Sequence, residues 1–373
     1  MAPNEHSRPR KAQQGGACLH SSIPRHLSRR LATGPDSATA FTAALRVGDE
    51  GAFSALAERH RRELLVHCYR MLGSLHDAEG AVQDALLRAW RYRESLKEGA
   101  PLRPWLYRIA TNTCLELCAR DQRRSVLAAR ASESGAPPRP DDVEWLEPVP
   151  DSVLVPARES GADPEAVVLT RETIEIAFLT VIQLLTPQQR AALILCDVLG
   201  WSAKETADLL EVSVAAANSA LQRARAALRE QLPSRRPVWP AGVNASQAER
   251  ELLRKFVDAS ESADFRGFES LIREDALSRM PPQPDVAVGR EAMLQLWVEG
   301  GFGSASFGRL RCRITRANLQ PAVAFYVFGP GDTTWRELAL DVLRIEEGLI
   351  AEIVFGPVVF PPFGLPLTLE NHD

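Results

Sequence analysis

Two blocks of the chain repeat apolar residues at intervals of three and four, and a third block alternates them at intervals of two. The first block runs from Phe41 to Arg124 and has the period of amphipathic helices. Asp49 can cap its first long helix, Gly73 can end that helix, and Asp77 begins the next one in our interpretation. The pattern predicts an all-α domain over residues 37–126.

A second helical block spans residues 166–234 and carries its own start signals. Thr186 and Gln189 form one capping box and predict a buried helix. Ser202 and Glu205 form another, and after a tight turn Ser213 can cap a further helix. This spacing predicts a helix-turn-helix, whose second helix enters the DNA major groove. From this segment alone, an ordinary αα-hairpin in a helical core is the alternative.

The second helix of that motif has an apolar side that begins with Val214 and an open side of polar and small residues. Gln and Asn can pair bidentately with adenine, Arg can bind guanine or phosphate, and small residues let the backbone approach. The predicted DNA-binding residues are Ser213, Ala216, Asn218, Ser219, Gln222, Arg223 and Arg225.

The last predicted helix of the first block carries both arginines and aromatic residues on its open surface. Such a mixture stacks unpaired bases and holds their phosphates. The alternative is that Trp105 and Tyr107 complete the core. The residues of this predicted single-strand surface are Arg103, Trp105, Tyr107, Arg108, Asn112 and Arg120.

The third block, residues 246–360, predicts two helices followed by alternating strands. We expect helices over 248–263 and 290–298, and turns at 329–332 and 347–348. Together they make an α+β domain with a curled antiparallel sheet that can enclose a cavity. Asp341, on a predicted strand, is the best candidate there for an acid or a base.

The connecting segments differ in charge. Residues 1–36 predict a disordered basic arm, residues 235–245 a second linker, and residues 361–373 a tail. Between residues 131 and 175 there are three basic residues against eleven acidic ones, so we interpret 127–165 as an acidic flexible linker. The whole chain has a net charge of −4, which predicts no global basic field.

Six scattered cysteines favour buried thiols in a reducing cytoplasm. Cys114 and Cys118 lie one helical turn apart, but no matching pair stands nearby, so we predict no metal and no cofactor. No apolar run approaches the length of a membrane span. We therefore expect a soluble cytoplasmic protein.

Together these segments resemble the sigma-70 family, in particular its extracytoplasmic-function (ECF) sigma factors. The run DAEGAVQDALLRAWR resembles region 2.2, which in that family binds the clamp helices of the polymerase β′ subunit. RPWLYRIATNTCLELCARDQRR resembles regions 2.3 and 2.4, which melt and read the promoter −10 element, and the helix-turn-helix block resembles region 4, which reads the −35 element and docks on the β flap. The resemblance implies polymerase contacts at Asp77, Glu79, Gln83, Asp84, Leu87, Arg88 and Arg91.

The C-terminal block is similar to SnoaL-like cone-shaped barrels, and its fusion here resembles the SigG-like branch of these sigma factors. The start of the predicted recognition helix, AAANSA, lacks two cations that many family members carry. Phosphate anchoring should therefore rest on Arg223 and Arg225, and base reading on Asn218, Ser219 and Gln222. Gly80 stands where an acidic residue is common.

The resemblance implies a promoter-recognition subunit of bacterial RNA polymerase, with no reaction of its own. Its partners would be core polymerase and promoter DNA, and an anti-sigma factor or a small-molecule ligand of the C-terminal domain are further candidates. We expect the C-terminal domain to regulate the sigma domains. The alternatives are a helix-turn-helix regulator that acts without polymerase, and a SnoaL-like enzyme fused to a DNA-binding module.

Overall fold

The computed structural model describes residues 42–97, 100–131, 146–154, 175–231, 246–279, 286–356 and 360–370. Its helices are α1 Glu50–Leu72, α2 Leu75–Arg91, α3 Leu102–Ala131, α4 Asp151–Leu154, α5 Ile176–Gln183, α6 Pro187–Leu193, α7 Ala203–Leu210, α8 Val214–Gln231, α9 Gln247–Ser262, α10 Phe265–Leu271 and α11 Arg290–Glu299. Its strands are β1 Ile272–Arg279, β2 Val286–Val288, β3 Arg309–Ala317, β4 Gln320–Phe328, β5 Trp335–Glu346, β6 Leu349–Gly356 and β7 Thr368–Leu369.

Helices α1, α2 and α3 pack on one another as the first helical unit. The predicted cap of α1 is confirmed, since an Asp49 carboxylate oxygen accepts a bond from the Ala52 amide at 3.0 Å. Gly73 ends α1 in the left-handed region, as predicted. The start of α2 differs from the prediction: Ser74 is its N-cap and Asp77 lies three residues further on. Ser74 is the N-cap because its hydroxyl accepts a hydrogen bond from the Asp77 amide at 3.2 Å.

Helices α5 to α8 form the second helical unit. Both predicted capping boxes are present, Thr186 with Gln189 and Ser202 with Glu205. The predicted buried helix after Thr186 is α6, which continues into a π-helical turn at Ile194–Val198. The Leu199 amide donates to the Ile194 carbonyl at 3.0 Å, which is the i→i+5 bond of that turn.

The C-terminal unit is built on a sheet with strand order β2-β1-β6-β5-β4-β3, and β7 pairs with β5. The two predicted helices appear as α9 and α11, and the predicted turns separate β4 from β5 and β5 from β6. The prediction of an antiparallel sheet was incomplete, because β1 runs parallel to β6. The sequence of β1, IREDALSR, lacks a clean alternation of apolar and polar residues, so it gave no strand signal.

The sheet has two buried faces. Its inner face, with Val323, Phe325 and Leu343, packs with α9, α10 and α11 in one hydrophobic cluster. Its outer face, with Ala324 and Leu340, belongs to a second cluster that continues into both helical units. The sheet therefore connects its own domain to the helices that precede it.

Part of the predicted flexible linker 127–165 is ordered, which corrects that prediction. Helix α3 continues to Ala131, and residues 146–154 lie between the first helical unit and the sheet. Val149 is fully buried, and Pro150 forms an isolated β-bridge with Ala317. Tertiary packing orders this segment although it has no periodic pattern.

Within the predicted tail 361–373, β7 joins the sheet through Trp335 and Leu369. The predicted arm 1–36, the linker 235–245 and the remaining linker residues 132–145 and 155–165 lie outside the described residues.

Candidate nucleic-acid interface

The helix-turn-helix of α7 and α8 is formed as predicted. Glu211 makes the tight turn in the left-handed region, with φ of 56°. The Ser213 hydroxyl then accepts a bond from the Ala216 amide at 3.1 Å, which caps α8. Ala217, Leu221 and Ala224 are buried, because α8 packs on α6. These contacts fix which side of α8 faces outward.

The structure brings the predicted DNA-binding residues to one exposed side of α8. All of these are exposed: Ser213, Ala216, Asn218, Ser219, Gln222, Arg223 and Arg225. Val214, which we predicted to be buried, is 45% exposed because it begins the helix next to an exposed turn.

The two arginines of this side differ in their pairing. Arg225 makes a bidentate ion pair with Asp197, with Nη2–Oδ1 and Nε–Oδ2 distances of 2.6 and 2.9 Å. Hydrogen bonding to Asp197 raises the pKa of Arg225. Arg223 makes no ion pair with any residue that the structure describes. Arg223 is thus the cation of this pair that is available to an external phosphate.

The predicted single-strand surface of α3 is only partly accessible. Arg103, Arg108 and Arg120 are exposed, whereas Trp105 and Asn112 are half-buried. Tyr107 is only 2% exposed, so for this residue the structure supports the alternative that it completes the core.

Tyr107 is buried between residues of the first helical unit and Trp201 of the second. Its ring packs edge-on against His67 at 5.0 Å and lies 6.0 Å from the ring of Trp201. Burial raises the pKa of Tyr107 to about 12. Nearby, an Arg108 guanidinium nitrogen donates to the Asp208 carbonyl at 2.6 Å. Residues 201–210 of the second unit therefore cover part of the α3 surface.

Glu63 organises the edge of this surface. It accepts from Arg103 Nε at 2.8 Å and forms a close pair with His60. Although burial opposes ionisation, hydrogen bonding from His60 and the charge of Arg103 hold the pKa of Glu63 below its usual range. Arg103 is consequently held by an ion pair rather than free in solvent.

The predicted polymerase-binding side of α2 is open. Asp77, Glu79, Gln83, Asp84 and Arg91 are exposed, and Leu87 is a large apolar side chain with 53% exposure. Arg88 is half-buried and pairs bidentately with Glu116 of α3 at 2.9 and 2.7 Å. The opposite side of α2, built largely of alanines, is buried in the first unit.

The sequence analysis missed the contact made by the tip of the β3–β4 hairpin. Asn318 and Leu319 form this tip with positive φ values of 54° and 60°. The Asn318 side chain is fully buried, accepts from the Val149 amide at 2.8 Å, and donates to the Tyr69 hydroxyl at 2.9 Å. Tyr69 in turn donates to the Glu147 carbonyl at 2.7 Å.

The neighbouring bonds extend this contact to the second unit. Gln320 accepts from the Ile176 amide, the first residue of α5, at 3.0 Å. Asp151 accepts from the Leu319 amide at 2.7 Å and from Arg316 at 2.8 Å. A turn at Asn318 is predictable from sequence, but nothing in the sequence indicates what the turn contacts.

Arg190 also joins the two helical units and was not predicted. Its guanidinium donates to the carbonyls of Ile182 and Gln183 at 2.8 Å and forms a close bond with that of Met71 in α1. Burial lowers the pKa of Arg190 to about 10, still well above neutral. An arginine within an apolar helix is the only sequence signal of this contact.

The described residues hold no group of three His, Cys, Asp or Glu side chains placed to hold a metal ion. Cys114 hydrogen-bonds with Cys68, and that bond together with burial raises the pKa of its thiol well above the usual range. In the ranges that the structure covers, no helix is long and apolar enough to cross a membrane.

Known proteins match this architecture along most of the chain. The sigma-70 region 2 model matches residues 56–124, and the sigma-70 region 4 model matches residues 175–228. The ECF RNA polymerase sigma factor SigG of Mycobacterium tuberculosis is 39% identical over 325 residues, which cover 86% of this chain and 85% of that protein. SigM of the same organism is 33% identical over 181 residues, or 48% of this chain and 77% of SigM.

The crystal structure of the M. tuberculosis ECF sigma factor SigJ shares the fold, with a TM-score of 0.54 and 21% identity over 84% of this chain and 99% of that one. At this identity the likeness supports the fold alone. The sequence identity with SigG extends over more than four fifths of both proteins and therefore shows the family as well as the fold. The chain belongs to the ECF RNA polymerase sigma factors.

Proposed function

We propose that this sigma factor directs core RNA polymerase to promoters, with α8 in the major groove of the −35 element and the open side of α2 on the polymerase. The observation that carries the proposal is the exposure of all seven predicted reading residues on one side of α8. A helix-turn-helix whose second helix faces solvent with Asn, Gln and an unpaired Arg is equipped for groove contacts.

The first test concerns the role of Arg223. Arg223→Ala removes one phosphate contact, so we expect weaker promoter binding by the holoenzyme and a salt-dependence slope reduced by about one unit. Arg266→Ala is the matched control, because Arg266 is an exposed arginine of α10, in the C-terminal unit, outside the helix-turn-helix. Equal slopes for the two variants would contradict the assignment.

The second test concerns base reading. Gln222→Ala should change the preferred −35 sequence, since a lost bidentate contact is worth about 1–3 kcal/mol. Selection from a randomised −35 library measures that preference. A profile identical to that of the wild-type chain would exclude Gln222 from the readers.

We further infer that the C-terminal unit restrains the sigma domains in the arrangement described here. The hairpin tip bonds to Tyr69 of α1 and, through Gln320, to the start of α5, so one element holds both helical units. In the same arrangement Trp201 covers Tyr107, a predicted −10 contact. Tyr107 can then stack on bases only after the helical units separate.

Run-off transcription by bacterial core polymerase tests both proposals. We would compare the full chain with a version that ends at Arg236. Greater activity of the shorter version supports the restraint, and equal activity would contradict the restraint but support the sigma function. Failure of both versions, with no binding to core polymerase, would contradict the proposed function.

We expect no reaction from the C-terminal unit. Asp341 lies in its cavity, and among the described lining residues the other titratable side chain is Glu299, which is exposed. A single buried acid lacks the paired groups that general acid–base chemistry uses.

A further inference from the structure

A large cavity lies between the inner face of the sheet and helices α9, α10 and α11. Its volume is about 670 Å³, within the range of small-molecule sites in proteins. Strands β3 to β6 form one side of it, and the segment after α11 contributes the other. It lies on the opposite side of the sheet from the contact with the helical units.

Seven of the sixteen described lining residues are aromatic. Phe268 contacts Trp297 edge-on at 5.0 Å and Phe302 at 5.9 Å, and Phe256 contacts Phe325 at 6.3 Å. These edge-to-face contacts hold each ring against its neighbours. The cavity thus offers rigid aromatic surface to whatever occupies it.

Among the described lining residues, Asp341 is the one buried carboxyl group. It lies on β5 between Val323 and Phe355 of the flanking strands and is 7% exposed. No described residue gives it a hydrogen bond or an ion pair, and burial alone raises its pKa well above the usual range. The Ser260 hydroxyl, which also lines the cavity, already donates to the Phe256 carbonyl at 2.7 Å.

The ionisable side chains among the described lining residues are all acidic. Among the described lining residues there is no Lys, Arg or His, while Glu299 stands exposed at the rim. An anionic ligand would meet two carboxyl groups and no cation. A purely apolar ligand would leave Asp341 without a partner, and unpaired buried polar groups are costly.

We propose that this cavity binds a lipophilic aromatic amine, whose nitrogen pairs with the Asp341 carboxyl while its rings lie among Phe268, Trp297 and Phe325. An amine supplies the missing hydrogen-bond donor, and aromatic faces attract a cation. A neutral amine can take the carboxyl proton of Asp341, so the ammonium–carboxylate pair forms without bringing net charge into the cavity. The inference concerns binding alone and stands whether or not the C-terminal unit restrains the sigma domains.

Three probes on one ring system test it: 1-naphthylmethylamine, 1-naphthylmethanol and 1-naphthoate. Calorimetric titration of the full-length chain should show saturable binding of the amine, at least about tenfold tighter than the alcohol, because hydrogen bonds to charged groups are the stronger ones. The carboxylate should bind weakest. Tighter binding of the alcohol than of the amine, or no saturable amine binding, would overturn the proposal.

Asp341→Asn keeps the shape of the side chain and removes the charge. We expect this variant to lose the preference for the amine, while its affinity for the alcohol stays within about threefold. Asp258→Asn, an exposed aspartate of α9 outside the cavity, is the matched control and should keep the preference. A preference that survives in Asp341→Asn would refute the assignment to this residue.

A second variant keeps the test decisive if Asp341→Asn fails to fold. Ala339 lines the same cavity on β5, and Ala339→Phe should fill part of it and weaken amine binding by at least about tenfold. Unchanged amine affinity in this variant would place the binding site elsewhere.

Discussion

Asn318 gives the sharpest test of the contact between the C-terminal unit and the helices. Asn318→Gly preserves the positive φ of the turn, since glycine adopts it freely, and removes the side-chain bonds to Val149 and Tyr69. The buried Val149 amide then loses its acceptor and the Tyr69 hydroxyl loses a donor. At about 1–3 kcal/mol for the orphaned amide and about 1 kcal/mol for the hydroxyl, the contact should weaken by about 2–4 kcal/mol. That corresponds to an opening equilibrium about 30- to 1,000-fold more favourable.

Hydrogen exchange measures this opening directly. The amides of Leu319 and Ile176 keep their acceptors, Asp151 and Gln320, in the variant, so faster exchange there reports opening of the contact. We expect their exchange rates to rise about 30- to 1,000-fold, in line with the weakened contact. Glu347→Gly is the control, because Glu347 is also a turn residue with positive φ, but joins β5 to β6.

Unchanged exchange of both amides in a folded Asn318→Gly protein would refute the reasoning, and so would an equal effect of Glu347→Gly. If the contact also restrains the sigma domains, Asn318→Gly should transcribe more than the wild-type chain in the run-off assay. Its activity should lie between those of the full and the shortened chains.

Three further changes test the helical units. Ser202→Ala removes the cap of α7 and should lower the free energy of unfolding by about 1 kcal/mol in denaturant titration; a loss below about 0.3 kcal/mol would contradict the role of the capping box. Arg190→Met leaves buried carbonyls of both units without their donor, and we expect the free energy of unfolding to fall by about 3 kcal/mol or more. An unchanged free energy of unfolding would show that water replaces the guanidinium. Burial, with the charge of Arg70, lowers the pKa of His67 to about 3, so the stability present above pH 6.5 should fall by about 1.4 kcal/mol for each pH unit below it. His67→Gln should lose about 2 kcal/mol less than the wild-type chain between pH 7 and 5, and an equal loss would exclude His67 as the cause.

The reading side of α8 was predictable because a helix that packs on one neighbour exposes positions set by its own period. The buried Ala217, Leu221 and Ala224 recur at intervals of four and three, so the polar residues between them face outward. The same reasoning was wrong for Tyr107 of α3. Its ring is buried by His67 of the first unit together with Trp201, which is far away in the chain. Local period cannot show which distant element packs on a surface.

The C-terminal unit shows the same limit. Strands β3 to β6 lie in apolar runs separated by turn residues and were predicted, with their turns. Strand β1 was missed because charged residues interrupt its pattern, and its parallel pairing with β6 joins segments far apart in the chain. The cavity was predicted as a property of the domain class, and Asp341 as a residue of interest. The lack of a partner for Asp341 depends on the tertiary structure and could not be read from the sequence.

The two predicted DNA-contacting surfaces differ in accessibility, and this difference sets the order in which they can bind DNA. The reading side of α8 is exposed, so duplex −35 DNA can reach it in the arrangement described here. Tyr107 of α3 is covered by Trp201, and Arg108 is bonded to the Asp208 carbonyl, so bases of the −10 element cannot stack there until the units separate. A partner that moves α7 away from α3 must break this aromatic contact and the Arg108 bond. The Tyr107 ring and the Arg108 guanidinium then become available to bind single-stranded DNA. We therefore expect Trp201→Ala to increase −10 strand binding by the free chain while leaving −35 duplex binding unchanged. Fluorescence anisotropy with the two labelled DNAs separates these effects. An equal change in both affinities would contradict the proposed order of binding.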